Sequence, residues 1–545
     1  MKSIKHNTIK LTLFISALGL FSIGINQHTG ITGKDEYYLA LRTPLCMQEQ
    51  AVWLIPCLDG EPRLRKPPML YWLTRANFEI FGTSLTAARL VAVTFAASLV
   101  LIITLLSLEL GDNWQTAIRS GLLALSCLGL AIGGRILEHD VPVATLSAAA
   151  LLWFIRWYKR ERFRYALLSS LCIITGFLTK GPVVFVVFGA GIAALAITDV
   201  SMYAWLQRNW YKIFSLTLFA VAITMSWFVY VYTQYPQTST NILLHELQDR
   251  RFPHLSLTPI FGIFLLSTPW NFIAIQTIWQ HLVKKITNTR SHTYIIWLGL
   301  TLLPFFFIRS FERYLFGSLI PLLLLLAMPN NINYKISARL GLMLILPVIL
   351  LIQIAALAIA GMSVSLGINF LTMIWYTFHW WQTRNITHMA ISAAILWTIT
   401  LGVTYPQLGI NQVPPQLISQ LRNQEIVLFN GPQPAFLPIL LKRSLIHIDG
   451  HWRLPSRLLQ PCSEFWLLSE DFNTISVLQG LKQLNFIATQ NKKFSVFSSR
   501  VTWANMFRPG TTWIEAWNAI RAGKLETVIP QVVLYKARNS QCSPP

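Results

Sequence analysis

Charge is scarce in this chain, and acidic charge is scarcest. Only 12% of the 545 residues are Asp, Glu, Lys or Arg, with 22 acids against 44 bases. A soluble protein carries about 25% charged residues, so the composition excludes a single water-exposed globular core. Cysteine is rare as well, six in all, and no Cys/His spacing suits zinc. There is no internal repeat, which argues against the duplicated halves common in transporters, and no low-complexity segment. The first apolar run, Leu11 to Ile25, follows Lys2, Lys5 and Lys10 but has no obvious small-x-small cleavage site near Gln27. It is expected to stay as an uncleaved first helix.

Apolar residues fill the space that charge leaves. The chain is 54% hydrophobic, with a mean hydropathy of +0.49. Apolar stretches recur from Ile9 to Tyr405, each near the roughly 20 residues that cross a bilayer. Candidate spans are 9–26, 87–110, 116–133, 141–157, 165–179, 182–198, 213–233, 259–279, 293–308, 314–329, 340–360, 365–379 and 388–405. The formal net charge of +22 does not mark a nucleic-acid binder, because the bases lie in short clusters between apolar runs. Such clusters report topology and contact with anionic lipid.

With the N-terminus cytoplasmic, the inner loops hold Lys159 to Arg164, Arg208 with Lys212, Lys284-Lys285 with Arg290, Lys335 with Arg339, and Arg384. Nearly every loop expected to be basic is basic. The exception is the 111–115 turn, which carries Asp112. An odd number of spans places the tail outside.

The expected architecture is therefore an all-α polytopic membrane domain over 1–410, including an outer loop at 27–86, followed by a periplasmic α/β domain at 411–545. Strands are predicted at Ile426–Phe429, Phe465–Leu468, Phe494–Phe497 and Gln531–Tyr535, and a helix at Thr512–Ala522. Cys46 and Cys57 share the first outer loop, and Cys462 and Cys542 share the tail. Each pair could form a disulfide in an oxidising compartment. Most of the 20 tryptophans, Trp375, Trp380 and Trp381 among them, lie near span ends as an interface belt does.

Ionisable groups near hydrocarbon usually have a partner or a function, and here they gather on the outer side. They are Lys34-Asp35-Glu36, Arg63-Leu64-Arg65-Lys66-Pro67-Pro68, Arg135 and Asp140 in GGRILEHDVP, and Lys180 in LTKGP. Further along come Glu246, Arg250 and Arg251 in HELQDRRF, then Arg309, Glu312 and Arg313 in RSFERY. Cations can hold a phosphate or pyrophosphate leaving group. Carboxylates can deprotonate a nucleophile or hold a divalent metal, for which Glu36, His245 and Glu246 are the candidates. At a lipid–water boundary the natural phosphate is a lipid head group. Any single one of these charges is more often an ordinary snorkelling residue; Asp35, Lys66, Asp140 and Lys180 stand out because they abut helix ends or Pro-fixed turns. His139 and His245 are the histidines near this region.

The strings GKDEYY, WLIPCLDGEPRLRKPPMLYWL and FGTSLTAARL, followed by GGRILEHDVP, GFLTKGP, the RRF…TPW stretch and RYLFGSLIPLL, run in order through residues 1–330. Together they resemble the lipid-linked-sugar glycosyltransferases of the GT-C fold, in particular the aminoarabinose transferase branch related to protein O-mannosyltransferases. The resemblance implies inverting transfer of a sugar from a polyprenyl (undecaprenyl) phosphate at the outer face of a bacterial inner membrane, most simply to lipid A or another glycolipid. It places the family's two required aspartates on Asp35 and Asp140, and its donor-phosphate ligands on Lys66 and Lys180, with Arg65 or Arg251 assisting. Glu36, Tyr38, Arg251 and Tyr314 would line the cavity. Two departures stand out. Tyr38 replaces an arginine usual three residues after the first aspartate, and Arg65 replaces a glutamate associated with a metal site. A protein acceptor is the alternative reading, and a lipid or solute transporter a remote one. The tail, with Trp503, Trp513, Trp517, Arg508 and Arg521, either binds the acceptor or caps the cavity.

Overall fold

The computed structural model describes residues 2–33, 35–36, 40–249, 255–283, 289–308, 310–328, 333–383, 385–429, 436–448, 452, 454–495 and 507–540. Helix α1 (Lys2–Ser22) leads to a first loop holding α2 (Arg42–Glu49), a two-residue ladder of β1 (Cys57–Leu58) with β2 (Glu61–Pro62), and α3 (Met69–Phe81). Next come α4 (Leu85–Glu109), α5 (Trp114–Ser126), α6 (Leu128–Gly133), α7 (Asp140–Arg160), α8 (Phe163–Lys180), α9 (Val183–Thr198), α10 (Val200–Arg208) and α11 (Trp210–Gln234). The helical part continues with α12 (Pro236–Asp249), α13 (Thr258–Leu266), α14 (Asn271–Val283), α15 (Thr289–Leu302), α16 (Phe316–Ala327), α17 (Lys335–Ala360), α18 (Val364–Gln382) and α19 (Ile386–Ile399). Helical structure falls within every apolar stretch predicted above.

Among the described residues five helical segments are long and apolar enough to cross a membrane: α4, α7, α11, α17 and the run Ile386–Leu408. Counting the bent pairs α9–α10 and α13–α14, turned by 115° and 118°, gives up to seven.

Local sequence sets the helix ends. Ser84 and Asn113 cap α4 and α5, their side-chain oxygens accepting from the backbone N–H three residues on. At the end of α8, Gly181 takes φ +73°, which a side chain would resist, and Pro182 then opens α9. Between apolar helices, close approach replaces the hydrophobic drive. Ala92 and Ala96 on α4 and Ala144 and Ala148 on α7 are buried, and the Thr145 hydroxyl donates to the Phe95 carbonyl across that seam.

The two ends of the helical bundle differ chemically. At one end Glu109 accepts from Arg156 and Arg160 at 2.8 and 2.9 Å. Asp112 pairs with Arg290 at 3.2 Å and accepts from Tyr294 and Ser107. Those contacts explain the acidic residue in a turn expected to be basic: it neutralises a cation at the start of α15. The opposite end carries the cluster described in the next subsection.

Past residue 411 the chain forms α20 (Pro415–Leu421), β3 (Ile426–Phe429), α21 (Leu437–Leu441), β4 (Ile446–Ile448), β5 (Glu464–Glu470), α22 (Thr474–Gln483), β6 (Phe486–Ser495), α23 (Trp513–Arg521) and β7 (Gln531–Asn539). The sheet order is β4-β3-β5-β7-β6, with β3 parallel to β4 and β5, and β7 antiparallel to β5 and β6. Residues alternate between faces as strands require. Val427, Phe465 and Leu467 pack on one side, and Ile426, Trp466 and Leu468 on the other. Both faces are covered, so these strands read as continuous apolar runs. Strand β4 and helices α20, α21 and α22 were not predicted, and of β6 only the end at Phe494 was, the rest of the predicted Phe494–Phe497 strand running into residues outside those described.

The sheet region rests on the first loop. Phe436 and Ile439 pack with Leu41 and Leu70, the Ser444 N–H donates to Glu49 at 2.6 Å, and the Val413 N–H donates to His28 at 3.3 Å. Cys46 and Cys57 are joined by a disulfide. The expected pairing of Cys462 involves Cys542, which lies outside the described residues.

Candidate active site

Helices α7 and α8 form an antiparallel hairpin with a two-residue link at 161–162. With 21 and 18 residues, they are nearly equal in length at 1.5 Å per residue. The first residue of α7, Asp140, therefore meets the last residue of α8, Lys180. They form an ion pair whose side chains are nearly buried. The carboxylate sits at a helix N-terminus and the ammonium at a helix C-terminus, so each also complements its own helix dipole. The Lys180 ammonium also lies 3.7 Å from the centroid of the Tyr314 ring, a cation–π contact.

A second cation ties three acids together. Arg313 enters from the short 3-10 turn Glu312–Leu315 before α16. It reaches Asp35 at 2.7 Å, Glu138 at 3.1 Å and Asp140 at 3.9 Å. The connected series is Asp35, Arg313, Asp140 and Lys180, with Glu138 alongside. Asp35 is the most open of these, its side chain 31% exposed.

The two acids of the DE pair face different surroundings. Glu36 is wholly buried and paired with Arg89 of α4 through two bonds of 2.8 and 2.7 Å. Its carboxylate also accepts from the Leu137 N–H at 2.9 Å and from the Thr32 hydroxyl. Arg89 completes its set on the carbonyls of Ile25, Gln27 and Ile31. The pair thus staples the segment after α1 to α4 and presents Asp35 on the open side. Glu36 was expected to line the cavity and was a candidate metal ligand. It does neither, because every oxygen is already engaged.

Electrostatics sharpen the picture around α7. Burial pushes the Glu138 carboxyl up to about 8; Arg313 opposes this, and Asp140, Asp35 and Glu36 reinforce it. Burial also holds the His139 imidazole well below its usual range, and the charges of Lys180, Lys66, Arg63 and Arg313 add to the effect. His139 is therefore neutral, packs edge-on against Tyr71, and has no hydrogen-bond partner for Nε2 among the described residues. That field also places Lys66 and Arg63 near the cluster. Lys66 is half-buried beside the buried Pro67 and Pro68, Arg65 is exposed, and Arg63 lies 3.4 Å from the Tyr71 hydroxyl.

Of the sequence-derived candidates, Asp35, Asp140, Lys180 and Tyr314 come together, with Lys66 close by. Tyr38 and Arg251 lie outside the described residues, as does the side chain of Glu246. His245 sits exposed on α12. Among the described residues no group of three or more His, Cys, Asp or Glu side chains is placed to hold a metal ion. Arg135 is not part of the cluster; it is buried and donates to the carbonyls of Leu20, Ile23 and Ala131 and to Thr398. The sequence reading gave no specific role to Arg313, Glu138 or Arg89. A signal did exist for Arg89, since an arginine in the first turns of an apolar helix needs a buried partner.

Comparison with known proteins converges on one group. Residues 65–229 match the family model of dolichyl-phosphate-mannose-protein mannosyltransferases. Over 138 residues, 24% of the chain, it is 33% identical to the lipid A galacturonosyltransferase RgtD of Rhizobium johnstonii, covering 28% of that protein. It is 26% identical over 247 residues, 44% of the chain, to a protein of Aquifex aeolicus, covering 48% of it. The matches thus span less than half the length of these curated relatives. The fold of ArnT from Cupriavidus metallidurans in the apo state superposes over all of both chains, with a TM-score of 0.68 at 13% identity. ArnT bound to undecaprenyl phosphate matches over 96% of this chain and 97% of its own, with a TM-score of 0.67 and again 13% identity. The chain has the GT-C fold and, in fold along its length and in sequence over residues 65–229, resembles the lipid-linked-sugar glycosyltransferases.

Proposed function

We propose that this chain is an inverting glycosyltransferase that moves a sugar from a polyprenyl phosphate, such as undecaprenyl phosphate, to an acceptor at the outer face of a bacterial inner membrane. The observation that carries this reading is the connected series Asp35–Arg313–Asp140–Lys180 at one end of a GT-C bundle. One of the structures sharing that fold is bound to undecaprenyl phosphate. The cluster supplies both halves of the chemistry, carboxylates for the acceptor and cations for a phosphate.

In this reading the donor's C1–O bond to phosphate breaks while a new bond forms from the acceptor oxygen to C1. The phosphate leaves with the electron pair of the broken bond. Lys66 and Lys180 stabilise the charge that develops on it, with Arg65 or Arg251 assisting. Asp140 fixes the Lys180 ammonium, and Arg313 fixes the Asp35 carboxylate. Asp35, the most open acid of the cluster, takes the proton of a hydroxyl acceptor. For an acceptor phosphate, already ionised, it positions the acceptor instead. Tyr314 forms the wall beside Lys180.

Lipid A or another glycolipid is the preferred acceptor, supported by the likeness to a lipid A galacturonosyltransferase. The mannosyltransferase match over 65–229 supports a protein acceptor as the second reading. Other parts of the reading are that 1–410 forms a membrane domain of about thirteen spans, that the N-terminus is cytoplasmic, and that 411–545 is a periplasmic domain. Mass spectrometry of lipid A and of periplasmic proteins, from cells with and without the chain, decides between the acceptors. A sugar increment on lipid A that disappears with Asp35→Asn supports the first reading, and an increment only on protein supports the second. No increment on either overturns the proposal.

A further inference from the structure

Helix α23 is fixed by its own sequence. The Glu515 N–H donates to the Thr512 hydroxyl oxygen at 3.3 Å, while the Thr512 N–H donates to the Glu515 carboxylate at 2.8 Å, a complete capping box. Ala516 and Ala519 face inward. Outward point Trp513, Ile514, Trp517 and Ile520, at 70%, 73%, 62% and 43% exposure. At 100° per residue these four fall within an arc of about 120°, and Arg521 lies inside that arc at the helix C-terminus. Four large apolar side chains on one short helix form a patch that water does not favour.

The contacts of Phe507 show where this patch sits. Phe507 packs against Ala356 of α17, Leu366 of α18, and Leu408 and Ile410. Its ring meets the Trp513 ring edge-on, with centroids 6.4 Å apart. Helix α17 and the run ending at Leu408 are both segments long and apolar enough to cross a membrane. Phe507 packs only a few residues from where each of them ends, which on the proposed membrane-domain reading is the lipid–water boundary, and α23 follows directly. Met362, in the turn joining α17 to α18, and Val364, at the start of α18, are 83% and 84% exposed and add apolar surface where α17 ends.

We propose that α23 lies flat on the bilayer, its Trp513–Ile520 face seated in the headgroup–acyl boundary of the leaflet where α17 ends. Tryptophan favours that depth, amphipathic helices settle roughly 5–10 Å into it, and Arg521 and exposed Lys524 meet the lipid phosphates. The helix thereby ties the sheet region to the membrane independently of its contacts with the first loop.

The test uses the full chain in lipid nanodiscs, with Cys127 and Cys172 replaced by serine. A nitroxide is placed at residue 517 (Trp517→Cys) or, as the polar-face control, at residue 518 (Asn518→Cys). Collision with oxygen reports lipid, and collision with a water-soluble nickel chelate reports solvent. The expected result is a several-fold higher oxygen-to-nickel ratio at 517 than at 518, lowered when Ile514→Glu is added. Labels at Trp513→Cys and Ile520→Cys repeat the reading if one variant fails to fold. Equal ratios at the two faces would overturn the proposal, as would spin–spin broadening showing that a second copy covers the stripe.

Discussion

Glu36→Gln and Asp35→Asn alter adjacent residues by the same chemistry, and their consequences should separate. Glu36 and Arg89 are both essentially inaccessible, and the carboxylate carries two bonds to Arg89, one from Leu137 N–H and one from Thr32. Removing its charge leaves the guanidinium buried without a counter-ion. Breaking such a pair costs about 3–5 kcal/mol, a large part of the roughly 5–15 kcal/mol that holds a typical protein folded. The amide can still accept one bond from Arg89, which puts the loss near the lower bound. Scaling with chain size, that corresponds to a fall of about 2–3 °C in the melting temperature. Asp35 is partly open and bound through Arg313 alone among the contacts above, so Asp35→Asn should melt within about a degree of the parent, a loss of under about 1 kcal/mol, while losing transfer. The assay is fluorescence-detected size exclusion after heating detergent-solubilised protein, paired with donor turnover by the surviving fraction. A Glu36→Gln protein as stable as the parent yet inactive would refute the structural role assigned to Glu36.

Other outcomes follow from the same geometry. Arg313→Ala should lower turnover by roughly 10²–10³-fold, the loss typical of one pre-oriented charge, and Arg313→Lys should recover only part of it because a point charge cannot span Asp35, Glu138 and Asp140 together. Lys180→Met leaves buried Asp140 with only the 3.9 Å contact to Arg313 and should cost about 3 kcal/mol; adding Asp140→Asn should restore thermal stability without restoring turnover. Glu138 holds its proton up to about 8 in the folded chain against 4.5 as its ordinary value. Between those limits the folded state binds the extra proton, so stability falls as pH rises through that window. Glu138→Gln should flatten that part of a melting-temperature profile. The Cys46–Cys57 disulfide closes a short loop, with the cysteines 11 positions apart, and reducing it or making Cys46→Ser should cost about 3 kcal/mol, read as earlier heat inactivation.

The helices were legible because hydropathy is a local signal: α4, α7, α11 and α17 announce themselves in any window of about 20 residues. Asp35, Asp140, Lys66 and Lys180 were legible too, as charges at helix ends or Pro-fixed turns on a single side. Partners were harder to foresee. Arg89 meets Glu36 across 53 positions and Arg313 meets Glu138 across 175, and no local pattern encodes such distances. Nor could sequence tell the two acids of the DE pair apart, since only the packing of α4 decides which one turns inward. Strand β4, three residues long, is too short for an alternation to show, and helix α22 is a short run that leaves two large apolar side chains, Ile475 and Leu478, exposed. Asp112 looked like a breach of the charge rule until Arg290 was seen beside it.

Cleavage of a polyprenyl phosphate–sugar bond at the Asp35–Arg313–Asp140–Lys180 end of the bundle, as proposed above, is tested most directly by turnover of purified protein. Purified protein supplied with a polyprenyl-phosphate-linked sugar and an acceptor lipid should release free polyprenyl phosphate at a rate set by the acceptor. Release should vanish in Asp35→Asn and Lys66→Ala proteins that melt like the parent. Undiminished release by both variants would rule out this cluster as the site of bond cleavage.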